Sequence, residues 1–431
     1  MVEKVAEFLP ATDKLTFRLT YRDINAKCID HVGKTFFKTM TIILTREALQ
    51  MLVALSQSRT FSVYVKKLEL VLDFFYDKGD QTIVTRDKNV SKITTMERQL
   101  AYDRYYHEQK AMKKFGLDEA YLTKALANFR NLQSLRITNV CGVFMCGHSH
   151  SPWGEKKVIN QTSVGPCLSV GKDAKMWSEQ RDWHAHTFKI VTSAIAASHI
   201  KLEEFILSFG NDNQGPTLNS YNVSALQLSQ LKRAFKGLET MTLHVGTFND
   251  SSVDGDRKFI IPRFISAAPI LKDLNVSFAP CKGRSKIIDA FATKLRLPML
   301  MHVHLFNASF QSSSLITFLR EHKTIKSVTL IRASVEKGSK WTPVFKALKS
   351  MNSLENLELG FLTQDKRRLT LTEPLWHSEP DPDESDCDCP NCSGATVDLY
   401  GKDEVQDGLE YILDTLTLEE DDGELSTPFS A

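Results

Sequence analysis

Along much of this chain the apolar positions follow one short rule: apolar, two variable, apolar, one variable, apolar. The rule holds at Val65-Lys66-Lys67-Leu68-Glu69-Leu70, at Leu132-Gln133-Ser134-Leu135-Arg136-Ile137 and at Leu202-Glu203-Glu204-Phe205-Ile206-Leu207. It returns at residues 238–243, 271–276, 300–305, 325–330 and 354–359. From the third unit onward the starts lie 36, 33, 29, 25 and 29 residues apart. Alternation of this kind predicts a half-buried strand, and a period in this range marks stacked supersecondary units. Amphipathic helices are predicted before the later strands, at residues 226–235, 259–268, 287–295, 315–321 and 344–348. One helix and one strand per unit, joined in a constant sense, makes neighbouring strands parallel. The expected fold is an α/β solenoid, a curved parallel sheet of helix–strand repeats with the helices outside.

In such a fold the fixed apolar positions point into the core and the variable ones alternate to the concave face. That face is expected to bind a protein target through Arg136, Glu204, Thr242, His244, Asp273, Asn275, His302, His304 and Phe306. It mixes polar side chains with isolated apolar and aromatic ones, the composition of a recognition surface. The units resemble leucine-rich repeats. They depart from the best-known consensus in placing Gly210, Gly246, Ala279, Ala308 and Ala333 where an asparagine is usual, which predicts irregular curvature. The His302/His304 pair has ligand chemistry too, but a solvated pair is preferred because no Cys or carboxylate is obviously placed beside it.

The first forty residues read as three short helices. Val2, Val5, Ala6 and Leu9 share one helical face, Pro10 breaks it, and Thr12 or Asp13 caps the turn carrying Leu15, Phe17 and Leu19. A third stretch sets Ile24, Cys28, Ile29 and Val32 on one side, before Phe36 and Phe37. The run from Val5 to Arg22, with Leu9-Pro10-Ala11-Thr12-Asp13-Lys14-Leu15-Thr16-Phe17-Arg18-Leu19, resembles the latter part of an F-box. With the repeats behind it, the layout is similar to F-box proteins of filamentous fungi that carry irregular leucine-rich-like repeats. The family opens with Leu-Pro and an acidic residue ahead of its first helix, whereas this sequence starts inside that helix; either the chain is truncated or its adaptor contact is weakened. What the resemblance implies is docking to a Skp-type adaptor, and through it to a cullin ubiquitin ligase, with Val5, Phe8, Leu9, Pro10, Leu15 and Leu19 supplying the contacts. The function implied is that of a substrate-recognition subunit of an SCF-type ligase. The alternative is a repeat scaffold for protein–protein interaction with no ligase role, in which the same residues cap the open end of the core.

Composition adds a charge asymmetry. Residues 379–431 hold 17 acidic side chains and one lysine, so the +2 of the whole chain hides a basic body of +18. Its basic residues are scattered rather than blocked, and no nucleic-acid partner is expected. No apolar run approaches the ~20 residues of a membrane span, and the N-terminus lacks a signal-peptide pattern. Eight cysteines in 431 residues are too sparse for a disulfide framework and fit a reducing compartment, cytoplasmic or nuclear. Three domains are expected: an F-box-like helical module at 1–45, repeats at 46–372 with insertions at about 76–120 and 141–190, and an acidic, partly disordered tail at 373–431.

The remaining chemistry is sparse. Tyr102, Tyr105 and Tyr106 sit at helical spacing in the first insertion and read as packing residues. The second insertion, read as a loop, offers Cys141, Cys146, His148 and His150, then His184 and His186; this spacing suits no common zinc finger. Gly165 to Gly171-Lys172 fails as a phosphate loop because Asp173 stands where Ser or Thr is required. Cys387, Cys389 and Cys392, with His377 nearby, form the densest ligand cluster, either a Cys3His zinc knot or a reduced exposed loop. With no zinc there, no cofactor is expected. No Ser/His/Asp order, paired-carboxylate cleft or His-Glu-x-x-His sequence appears, so an enzyme is not expected.

Overall fold

Each of the eight instances of the apolar rule forms a strand, and each strand starts at the third position of its motif. The first position, from Val65 to Leu354, is buried beneath the start of the strand. The second turns its carbonyl sideways. Lys66, Gln133, Glu239, Lys272, Met301 and Lys326 each accept two consecutive N–H groups from the start of the next strand, at 2.7–3.1 Å. A carbonyl has two lone pairs, so one acceptor holds two donors and fixes the register between neighbours. The two variable residues of the motif are therefore a structural requirement, since one of them carries this acceptor.

The computed structural model describes residues 22–77, 91–139, 152–163, 174–209, 215–247, 253–281, 283–371 and 396–418. They fall into two units, Met1–Pro216 with Val223–Leu238, and Thr217–Asn222 with Glu239–Ala431.

In the first unit four parallel strands follow chain order: β1 (Thr39–Ile43), β2 (Lys67–Val71), β3 (Ser134–Thr138) and β4 (Glu204–Ser208). Helix α1 (Arg22–Phe36) buries Cys28 and Val32. Strand β1 lies within the module expected to be all-helical, and that expectation is corrected: Met40, Ile42 and Ile43 are buried, and the strand pairs with β2. Helix α2 (Arg46–Gln57) starts at Thr45, whose hydroxyl accepts the Ala48 N–H. Much of the first insertion is helix, α3 (Lys92–Phe115), and α4 (Leu117–Asn128) follows it across Gly116, which takes the left-handed conformation at φ 65°. Tyr102, Tyr105 and Tyr106 do pack, and more deeply than expected, in one cluster with Phe75, Ile43 and Val71. The second insertion is corrected as well. Its described residues form α5 (Glu155–Thr162) and the 25-residue α6 (Ala174–Ser198) rather than a loop. Trp183, Phe188, Val191, Ala194 and Ile195 on α6 are buried and supply the apolar face that holds it. Helix α7 (Ala225–Ala234) completes this unit.

In the second unit β5 (Thr240–Val245), β6 (Asp273–Phe278), β7 (His302–Phe306), β9 (Ser327–Ile331) and β11 (Asn356–Gly360) run parallel. The edge strand β14 (Thr396–Tyr400) runs antiparallel to β11. Helices α8 (Ile260–Ile265), α9 (Arg284–Lys294), α10 (Ser312–Glu321), α11 (Trp341–Lys349) and α12 (Lys402–Thr415) bury their apolar residues beside it. Residues after β7, β9 and β11 take positive φ, at Asn307, Arg332 and Phe361. There the chain turns into the short strands β8 (Ser309–Phe310), β10 (Ser334–Val335) and β12 (Thr363–Gln364) of a second sheet, to which β13 (Arg367–Thr370) and β15 (Thr417–Leu418) add antiparallel. Ala308 and Ala333 are fully buried at these turns, which gives the small residues in the asparagine position their reason.

The observed fold is thus mixed α/β with ten main strands, mostly parallel, and the expected solenoid is not found. A solenoid requires successive units to be alike. Here the connecting helices range from 6 residues to 24 and 25, a second sheet joins the turns, and the last main strand runs backwards. The segment expected as an acidic tail holds β14 and α12, whose Val405, Leu409 and Ile412 are buried. Lys349 on α11 pairs with Glu410 on α12 at 3.2 Å.

His322 closes α10 as a buried, neutral imidazole. Its Nδ1 lies 2.8 Å from the Phe318 carbonyl and its Nε2 accepts the Leu297 N–H at 3.2 Å. Burial holds its pKa below the ordinary value, and nearby Arg296 acts in the same direction. The unfolded chain then binds the proton more readily, so the contribution to stability is present above ~6.5 and is lost as the pH falls below it. Exchanging His322→Phe should lower stability at pH 7 by ~1–3 kcal/mol, because a buried N–H loses its acceptor, and should shrink the loss between pH 7 and 5. Denaturant unfolding at both pH values checks this; an unchanged acid dependence contradicts it.

Candidate functional site

Strict alternation in the second unit sorts its side chains. Leu274, Val276, Val303, Leu305, Val328, Leu330, Leu357, Leu359, Val397 and Leu399 are buried on one side. The opposite side carries rows that run across the strands in register. One row reads Thr240, Asp273, His302, Ser327, Asn356 and Tyr400. The next reads Thr242, Asn275, His304, Thr329, Glu358 and Asp398, and the third runs from His244 through Ser277, Phe306 and Ile331 to Gly360 and Thr396.

Local contacts order this face without filling it. The Thr329 hydroxyl donates to Glu358 Oε2 at 3.0 Å, and His304 Nε2 lies 3.8 Å from Asp273 Oδ1. Burial lowers the pKa of His304 against the pull of Asp273, while His302 adds to the lowering. Just before the strands the charges cancel in pairs, Lys272 with Glu239 and Lys326 with Glu355, each at 2.8 Å.

The equivalent rows of the first unit are more self-contained. Thr41 donates to Glu69 Oε2 at 3.1 Å, Arg136 lies 3.8 Å from Glu69 Oε1, and the Ser134 hydroxyl donates to Glu204. Glu69, Ser134 and Ile206 are buried, so this face offers less to a partner.

Of the residues expected to bind a target, Arg136 and Glu204 stand in the first unit and the other seven in the second. Thr242, Asp273, Asn275, His302, His304 and Phe306 are half-buried in neighbouring rows. His244 belongs to the third row but is 4% exposed, and its carbonyl accepts the Tyr221 hydroxyl at 2.7 Å. The expected adaptor contacts Val5, Phe8, Leu9, Pro10, Leu15 and Leu19 lie outside the described residues, as do Cys141, Cys146, His148, His150, Cys387, Cys389 and Cys392. His184 and His186 sit on α6, where His186 Nε2 meets the buried Asp118 of α4 at 2.7 Å. That contact joins two helices. Among the described residues no three His, Cys, Asp or Glu side chains are grouped to hold a metal ion, and no helix is long and apolar enough to cross a membrane.

Sequence reading missed a buried acid. Asp73, just past β2, is 5% exposed, and its Oδ2 has no hydrogen-bond partner among the described residues. The signal was present as a lone carboxylate inside Val71-Leu72-Asp73-Phe74-Phe75. Burial first, and then the charge of buried Glu155, push its pKa up to about 8. No protein-family model and no curated protein matches this chain.

A carboxyl with a folded value above its unfolded one favours the folded state most at low pH, and that advantage is lost as the pH rises from ~4 towards ~8. Asp73→Asn should therefore flatten the pH dependence of stability across this window and leave the variant the more stable protein at pH 8. Thermal unfolding at pH 5 and pH 8 tests it, and identical slopes for the two proteins contradict it.

Proposed function

We propose that the chain is a substrate-recognition subunit of an SCF-type ubiquitin ligase. The observation that carries the recognition half is the outward face of the second unit, where six strands hold three registered rows, the first two polar throughout. Side chains fixed by a sheet are already ordered, so a partner that binds them loses less conformational entropy on contact. Most of the face is neutral and half-exposed, with Phe306 and Tyr400 as aromatic contacts, which suits a protein target.

The ligase half rests on the F-box resemblance of the run from Val5 to Arg22 and on helix α1, which follows it immediately. In this reading the N-terminal helices hold a Skp-type adaptor and the sheet face holds the target. The chain performs no reaction of its own; it raises the effective concentration of the target beside the ligase. Such a protein works in the cytoplasm or the nucleus, where those partners are.

The test is capture of a Skp-type adaptor by the full-length chain, beside a Leu15→Asp/Leu19→Asp variant. Binding by the native chain and its loss in the variant are expected. No binding by the native chain would contradict the ligase role and leave an interaction scaffold.

A further inference from the structure

The recognition face has a charge opposite to that of the chain around it. The sequence up to residue 378 carries 53 basic and 35 acidic side chains. Across the three outward rows, nevertheless, Asp273 and Glu358 of that body and Asp398 of the acidic stretch after it are present and no lysine or arginine is. Lys272 and Lys326, which directly precede Asp273 and Ser327 in the chain, are paired with Glu239 and Glu355. His304, with Nε2 3.8 Å from Asp273 Oδ1, is held towards its neutral form by burial. The three rows therefore carry more acidic than basic side chains.

A second feature favours cations independently. Tyr400, at the edge of the same face, is 66% exposed, and it follows Asp398 by two positions along β14. Two positions along a strand place both side chains on one side. An exposed aromatic ring beside a carboxylate accommodates a guanidinium or an ammonium, which stacks on the ring and pairs with the acid.

From this charge complementarity we infer that the partner segment is a basic one, rich in arginine or lysine, lying across β6 to β14. Adjacent strands are about 4.8 Å apart. Asp273 on β6 and Glu358 on β11 are three strands apart in the order β6-β7-β9-β11, roughly 14 Å, and Asp398 lies one strand further. An extended segment covers that distance in about four residues, so cations spaced along one short stretch reach both ends. Residues 419–431 of the chain itself carry five acidic side chains and no basic one, so they lack the charge that complements this face.

This inference rests on the reading of the face as the target site, and the experiment keeps the two apart. A fluorescein-labelled Arg-Ser repeat peptide and its Glu-Ser counterpart are titrated by anisotropy into the full-length protein, an Asp273→Asn/Glu358→Gln variant and a Glu321→Gln/Glu410→Gln variant. The last pair changes net charge equally but lies on helices α10 and α12. Binding of the arginine peptide alone is expected, weakened roughly tenfold by the face variant and less than about twofold by the helix variant. Thermal unfolding confirms that both variants are folded. No binding of the arginine peptide, equal binding of the glutamate peptide, or equal losses in the two variants would overturn the inference. A chain that captures adaptor yet fails this assay loses the basic partner alone; one that binds the peptide yet captures no adaptor loses the ligase role alone.

Discussion

Everything on the outward face depends on one backbone arrangement, the carbonyl that accepts two N–H groups at the start of the neighbouring strand. It recurs from Lys66 to Lys326 and sets where each strand begins. Because side chains alternate with a period of two, a slip of one residue would exchange the buried leucines for the polar rows. The shared acceptor makes such a slip costly, since it would break two hydrogen bonds at once. The preceding buried residue of each motif, such as Leu271 or Leu300, supplies the hydrophobic part of the same lock. Register, and with it the alignment of Asp273, His302, Ser327 and Asn356 into a row, follows from this local unit.

The other end of each strand has its own constraint. Asn307, Arg332 and Phe361 adopt φ near 50°, a conformation unfavourable for non-glycine residues. The N–H groups of Asn307 and Arg332 donate to the Ile331 and Gly360 carbonyls of the next strands. Short strands then form the second sheet over Ala308 and Ala333, while Trp341 Nε1 donates to the Thr363 carbonyl at 2.9 Å and its ring stacks on Phe345. The polar face of the second unit is thus bounded at both ends by backbone hydrogen bonds.

How much of this was legible depends on range. The eight strands and the later helices were readable because their signal is local: Leu354-Glu355-Asn356-Leu357-Glu358-Leu359 alternates whatever surrounds it. Helix α12 carries a local signal of the same kind, with Val405, Leu409 and Ile412 at helical spacing. Strand β14 was not legible, because its pairing with β11 joins segments separated by a long acidic stretch. Nor was β1, whose Thr39-Met40-Thr41-Ile42-Ile43 is a strand pattern overlooked inside a region read as helical. The helix over Ala174–Ser198 was hidden by its histidines and tryptophans, which read as loop chemistry but include buried Trp183 and His184. Among the candidate residues, the placement of Asp273, Asn275, His302 and His304 on the outward side was readable from alternation alone. The burial of His244 and Asp73 was not, because it depends on what covers them.

The central claim is that the registered rows of the second unit meet the partner. A photoreactive side chain placed at Asn275 in the full-length protein, with a control at exposed Thr317 on the helix Ser312–Glu321, tests it most directly. Irradiation in cell extract should give a discrete protein cross-link from position 275 and none from position 317. A cross-link from 317 alone, or from neither position, would contradict the account.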